Sequence, residues 1–196
     1  VGRGPAEVGV KGSRRKILQG MLEKVGVPDD RFAPICVLVD KLEKVPQEAI
    51  KEDMESLGLD DSLVDRIVEI ISLHALDEVE GIIGGEHEGI RDLRALFSLA
   101  EGYGFSEWLK FDASLVRGLA YYTGVVFEAF DRDAALRAIC GGGRYDHLLS
   151  TFGGKDIPAC GLGFGDAVIV ELLKDKDLLP ALPAKVDDVV FPFDGS

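Results

Sequence analysis

The chain has 196 residues, 46% of them hydrophobic and 29% charged, and its 22 Lys and Arg face 35 Asp and Glu for a formal charge of −13. That is enough chain for one substantial core or two small ones, and neither a disordered segment nor a membrane protein is expected, since no apolar run approaches the ~20 residues of a spanning helix. The sign of the charge argues against a basic nucleic-acid-binding surface over the whole molecule but leaves room for a local patch, and it is unevenly placed: Asp40 to Glu107 holds 18 acids against 6 Lys and Arg, a shift that points to two units of different surface chemistry.

In chain order, SRRKILQGMLEKVG puts Ile17, Leu18, Met21, Leu22 and Val25 on one helical face, with Ser13 as N-cap and Gly26 as stop. The run ICVLV at 35–39 fits either a buried strand or the start of a helix. Pro46 suits the first turn of a helix ending near Gly58. Asp60 or Asp61 caps the next, whose Leu63, Val64, Ile67, Val68, Ile70 and Ile71 form a broad apolar face. After the loop GGEHEG, Ile90, Leu93, Leu96, Phe97 and Ala100 repeat at three and four until Gly102 and Gly104. Residues 27–109 thus read as an acidic, mostly helical unit.

After Trp108 the pattern changes. VVFEAF at 125–130, RAIC at 137–140 and IPACGLGF at 157–164 predict hairpin-linked strands. The last runs through Gly163 and Gly165 into DAVIVELLK, a helix capped by Asp166 with Val168, Ile169, Leu172 and Leu173 available for burial. LLPALPAK at 178–185 reads as a linker, and both chain ends read as cuts through a longer protein. Cys36, Cys140 and Cys160 are odd in number, widely spaced and set among apolar residues, which predicts buried free thiols in a reducing compartment.

Three segments carry candidate chemistry. In SLVRGLAYYTGVVFEAF, Arg117 supplies a fixed cation suited to carboxylate or phosphate, and Tyr121 and Tyr122 supply hydroxyls that donate and accept; the plainer alternative is a surface ion pair beside half-buried strand tyrosines. In CGGGRYDHLL, three glycines ahead of Arg144 and Tyr145 let the backbone approach a ligand, or form only a turn with Asp146 capping a short helix. In PACGLGFGDAVIVELL, glycines leave room for a flat ring to stack, or serve strand-to-helix packing. His74, His87 and His147 lack ligand-like spacing, so no metal site is expected. Glu78, Glu80, Glu86 and Glu88 read as a solvated face and loop, and no nucleophile elbow is present.

In this order and at these separations the three segments resemble histidyl-tRNA synthetase, a class II aminoacyl-tRNA synthetase. LVRGLAYYTGVVFE is similar to the family's RGLDYYTG motif, GGGRYDHLL to its GGGRYDGL segment, and PACGLGFGDAVIVELL to motif 3; RGLAYYTG and GFGDAVIVELL further resemble a plant-organelle-type branch. VGVKGSRRKILQGMLEKVG, DKLEK at 40–44 and EGIRDLRALFSLAEGYG at 88–104 are similar to the stretch upstream, so the resemblance covers essentially the whole chain.

The resemblance implies an α+β fold, part of an antiparallel-sheet catalytic domain with a mostly helical insertion domain: residues 1–26 and 110–177 from the catalytic domain, 27–109 the insertion near the tRNA acceptor arm, and 178–196 a linker and the start of the next domain. It implies a ligase that uses ATP and Mg2+ to convert L-histidine to histidyl-adenylate and transfers it to tRNA(His), as a homodimer in the cytoplasm or an organelle and not as a secreted protein. By resemblance Arg117 is the catalytic cation at the carboxylate and α-phosphate, Tyr121, Tyr122 and Tyr145 hold histidine, and Gly163 and Gly165 lie beside ATP with Arg117. Ala120 stands where the family usually has Asp, His147 where it has Gly, and Val168 where motif 3 presents an ATP-binding Arg. Motif 1, motif 2 and the anticodon-binding domain do not appear, so the fragment alone is expected to be inactive. The alternative is a non-catalytic synthetase-like paralogue with a regulatory or tRNA-sensing role.

Overall fold

The computed structural model describes residues 6–42, 45–116, 121–133 and 138–181. Its order is β1 (Val8–Arg14), α1 (Arg15–Val25), α2 (Asp29–Val39), α3 (Gln47–Ser56), α4 (Asp61–Ile71), α5 (Leu76–Ile83), α6 (Glu88–Gly102), β2 (Leu109–Phe111), β3 (Val125–Asp131), β4 (Cys140–Tyr145), a 3-10 turn (Ser150–Phe152), β5 (Ala159–Phe164) and α7 (Asp166–Asp175). The five strands form one sheet in the order β2-β1-β3-β4-β5, antiparallel except for β1 beside β2. The α+β expectation holds.

Helices follow the sequence periodicity closely. In α1 the expected face, Ile17, Leu18, Met21, Leu22 and Val25, is buried, and Gly26 ends the helix at φ +93° with its N–H on the Glu23 carbonyl at 3.1 Å and that of Val27 on Leu22 at 2.9 Å. Ser13 is not the N-cap: it lies buried in β1, and Arg14, which makes no side-chain cap bond, holds that position. The open choice at 35–39 resolves to helix. Asp29 and Asp30 occupy the first turn of α2, where negative charge meets the helix dipole, and Ile35, Cys36, Leu38 and Val39 are buried despite Pro34 within the helix. Pro46 is the N-cap of α3, and the Asp60 carboxylate accepts the Leu63 N–H at 3.0 Å to start α4. Helix α5, which buries Leu76 and Val79, has too short an apolar pattern to be read from sequence.

Three strands escape the sequence reading: β2 is only three residues long, and the strand expected at 137–140 overlaps β4 at Cys140 alone, with residue 137 outside the described residues. VGVKGSR at β1 and CGGGRY at β4 are glycine-rich and lack the β-branched alternation that marks strands. The glycine run expected to be a turn is the strand itself, paired with β3 and β5. A Cβ at Gly142 would collide with the Gly161 carbonyl oxygen and lie 2.8 Å from Leu162 Cα, so only glycine allows this approach.

One buried cluster joins α1 to residues of α2–α6 and to Phe111, Ala113 and Val116. Leu172 of α7 is fully buried against Ala129 and Ile139, with Val168 and Ile169 only partly so, on the sheet face that carries Val8, Val10 and Cys140. The linker and closing residues from 182 onward lie outside the described residues. Cys36 is buried, with desolvation pushing its thiol up, and Cys140 is half-buried, but Cys160 is exposed, contrary to expectation: it sits on β5, whose only neighbour among the described residues is β4.

Candidate functional site

Strand register sorts the glycines of the motif segments and Tyr145 by face. Ser13, Val126, Gly143 and Gly161 stand in one cross-strand row and Lys11, Glu128, Gly141 and Gly163 in the next, and Tyr145 opposite Ala159 continues the same face. The other face carries Arg14, Phe127 and Ala129, with Leu162 and Phe164 towards its β5 edge. In these two rows the four glycines give the first face no side chains of its own in its β4–β5 half, where Gly141 and Gly143 are buried and Gly163 is exposed.

Three tyrosines close one end of it. The rings of Tyr121 and Tyr122 lie 4.6 Å apart and tilted by 50°, Tyr121 stands edge-on to Tyr145 at 5.8 Å, and Tyr122 lies 6.4 Å from Tyr145. Tilted and edge-on contacts suit the ring quadrupole better than a flat sandwich. Tyr122 is buried, while Tyr121 keeps 36% of its surface open. The three tyrosines that the resemblance assigns to histidine are thus ring neighbours. Arg117 and Ala120 lie outside the described residues.

The glycines divide by role. At Gly143 a Cβ would stand 2.9 Å from the Tyr122 ring, and at Gly161 it would stand 2.7 Å from the Tyr145 hydroxyl oxygen. These two make room for the tyrosine side chains. At Gly163 a Cβ would meet nothing within 4 Å, so the backbone there is an open floor. Gly165 is the N-cap of α7, and a Cβ there would lie 3.4 Å from the Ile139 carbonyl oxygen and 3.5 Å from the Val168 side chain. Asp166 does not cap that helix across a turn; its carboxylate accepts the adjacent Ala167 N–H.

Polar groups fix the surroundings. Lys11 pairs with buried Asp112 at 3.2 Å and lies over the Phe130 ring at 5.1 Å. Asp146, expected as a helix cap, instead accepts the Thr123 hydroxyl at 2.8 Å and Arg144 Nε at 2.9 Å. Those two bonds, the Thr123 one foremost, hold its carboxyl below the usual range. His147 pairs with Asp156 at 3.1 Å, His87 caps α6 by accepting the Gly89 N–H at 3.1 Å, and His74 is solvent-exposed. Glu80 and Glu88 are more than a solvated face: Glu80 holds Arg94, and Glu88 holds Arg14 and Lys16. Thr123 is the site residue that sequence reasoning missed. Its signal was its place in YYTG, directly after the tyrosine pair.

The arrangement places three phenol rings together at one end of this face, with an open stretch of backbone at Gly163 on β5. Among the described residues no group of three His, Cys, Asp or Glu is placed to hold a metal ion.

Comparison with known proteins agrees with this geometry. The sequence profile of the family described as histidyl-tRNA synthetase matches residues 13–165. The chain is 56% identical over 194 residues to the chloroplastic/mitochondrial histidine–tRNA ligase of Arabidopsis thaliana, covering 99% of this chain and 40% of that protein. It is 37% identical over 178 residues to the cytoplasmic histidine–tRNA ligase of the same plant, covering 85% of this chain and 20% of that protein. The fold superposes on the crystal structure of histidyl-tRNA synthetase from Nostoc with a TM-score of 0.77 at 24% identity, covering 92% of this chain and 45% of that one. The chain thus spans less than half the length of each.

Proposed function

Because the chain belongs to the histidyl-tRNA synthetase family, we propose that it is the central part of a histidine–tRNA ligase that activates L-histidine with ATP and transfers it to tRNA(His). The observation that carries this reading is the convergence of Tyr121, Tyr122 and Tyr145 on the glycine rows of the sheet, which open at Gly163.

In the proposed reaction a histidine carboxylate oxygen attacks the α-phosphorus of ATP, the bond to the β-phosphate breaks, and pyrophosphate leaves with the electron pair. The terminal adenosine hydroxyl of the tRNA then attacks the activated carbonyl carbon, losing its proton as AMP departs. Arg117 is assigned the fixed cation that stabilises charge at the α-phosphate, a role that needs no proton transfer. Tyr121, Tyr122 and Tyr145 hold the imidazole, and the open backbone at Gly163, with Gly165 behind it, gives the nucleotide room that a side chain would fill. Mg2+ is assigned to the nucleotide phosphates, the usual way this hard cation enters such sites.

Motif 1 and motif 2 lie outside this chain, and the homodimer is assigned to the full-length protein. An organellar compartment is favoured, since identity to the chloroplastic/mitochondrial relative is 56% against 37% for the cytoplasmic one. No helix among the described residues is long and apolar enough to cross a membrane. Val168 in place of the motif 3 Arg is the feature that fits a regulatory paralogue; the joint presence of the tyrosine cluster and Arg117 favours the enzyme.

The test is histidine-dependent ATP–pyrophosphate exchange by the full-length protein. Arg117→Ala is expected to abolish exchange without changing the far-UV circular dichroism. Near-normal exchange in that variant overturns the assignment of Arg117, and its absence from the unmodified protein overturns the ligase reading.

A further inference from the structure

The tyrosine cluster is assembled from two stretches of chain separated by more than twenty residues, and one pair of polar side chains ties them together. The Thr123 hydroxyl donates to Asp146 Oδ2 at 2.8 Å and accepts the Asp146 backbone N–H at 3.1 Å. The N–H groups of Thr123 and Gly124 both point at the Arg144 carbonyl, at 3.0 and 3.3 Å. Arg144 Nε donates to Asp146 Oδ1 at 2.9 Å, which occupies the second carboxylate oxygen. Close packing seals the joint: a Cβ at Gly124 would lie 2.8 Å from Arg144 Cδ, and one at Gly143 would lie 2.7 Å from the Val125 carbonyl oxygen.

We propose that Thr123 and Asp146 are positioning residues that set the spacing between the Tyr121–Tyr122 pair and Tyr145, and through it the affinity for histidine. Thr123 directly follows Tyr122 and Asp146 directly follows Tyr145, so the clamp acts one residue from each ring. Neither side chain belongs to the tyrosine cluster itself. The Asp146 carboxylate, held ionised by its two donors, stays an acceptor at neutral pH. Threonine matters here as donor and acceptor at once: valine of equal shape leaves both Asp146 Oδ2 and the Asp146 N–H without this partner, whereas serine keeps both bonds.

The proposal rests on the histidine–tRNA ligase reading, and its test keeps the two apart. In the full-length protein, Thr123→Val is expected to raise the KM for histidine about tenfold or more, with the KM for ATP unchanged and kcat within a factor of about three. Asp146→Asn shares the defect, and Thr123→Ser restores the KM. A Thr123→Val enzyme with the unmodified histidine KM, or a Thr123→Ser enzyme as poor as the valine variant, overturns the proposal. Amide hydrogen exchange is read on the same proteins: Thr123→Val unprotects the amides of residues 123 and 124 while those of α4 stay protected, and Thr123→Ser keeps all of them. If the unmodified protein shows no histidine-dependent exchange, the ligase reading fails, and with it the link to histidine affinity. The clamp is then decided by the amides alone, and unchanged protection in Thr123→Val rejects it.

Discussion

At the scale of single residues, glycine does three different jobs on this sheet, and the residue type alone does not say which. Gly142 is a packing glycine whose absent Cβ lets the β5 backbone approach. Gly143 and Gly161 seat tyrosines, and Gly163 faces open space. Gly142→Ala sets a methyl group against backbone that cannot turn aside, so it is expected to destabilise by about 1–3 kcal/mol, the range of an overpacked core. Gly163→Ala meets no atom of the protein and is expected to leave the melting temperature unchanged or slightly raised. Thermal denaturation of the two variants side by side checks this; equal melting temperatures would remove the case for close approach at Gly142. The tyrosines and Arg117 were legible because their motifs are local. Thr123 and Asp146 were not, because their bond spans 23 residues.

Between elements, the junction of β1 with α6 rests on charge. Arg14 is buried at the end of β1, where it meets Glu88 at 2.5 Å and Asp92 at 2.7 Å, and Lys16 also pairs with Glu88. The Lys16 ammonium first, and then the Arg14 guanidinium, hold the Glu88 carboxyl at about 2 against its usual 4.5. A carboxyl depressed in the folded state stabilises fully above its unfolded value and loses that contribution as pH falls through the folded one. Glu88→Gln is therefore expected to flatten the fall of melting temperature between about pH 4.5 and pH 2, with little change in slope above pH 5. An acid limb as steep as that of the unmodified protein would show that the junction does not depend on Glu88. The helices at this junction were readable from their 3.6-residue period, as in α1 and α6. Strand β1 was not, because its pairing with β3 supplies what its glycine-rich sequence lacks.

For the molecule as a whole, the −13 charge and the core are distributed differently. The acidic excess falls in 40–107, where Arg94 takes Asp77 and Glu80 and Lys51 takes Asp65. The buried cluster ignores that boundary: Ile17, Leu18, Met21 and Leu22 of α1 share it with Ile50, Met54, Ile67 and Leu93, so a division at residue 26 runs through a common core. Ile17→Ala is expected to cost about 2–5 kcal/mol and to lower the melting temperature by the same amount whether helix is followed by circular dichroism or the sheet by fluorescence of Trp108, whose carbonyl accepts the Val10 N–H at 2.7 Å. A helical signal that melts ahead of Trp108 would show that the unit at 27–109 folds on its own.

The sequence by itself determined helices α1, α3, α4, α6 and α7, the hairpin-linked strands at 125–130 and 157–164 and the motif residues, because each is written in spacings shorter than about fifteen residues, and the order of the three motif segments carried the family. Only the tertiary structure decided that the glycine run is a strand, that its glycines serve tyrosines and backbone before any ligand, that Cys160 is exposed, and that Thr123 meets Asp146. Those outcomes depend on which backbone lies 3–6 Å away across the sheet, and hydrophobic periodicity carries no record of a neighbour that is distant along the chain.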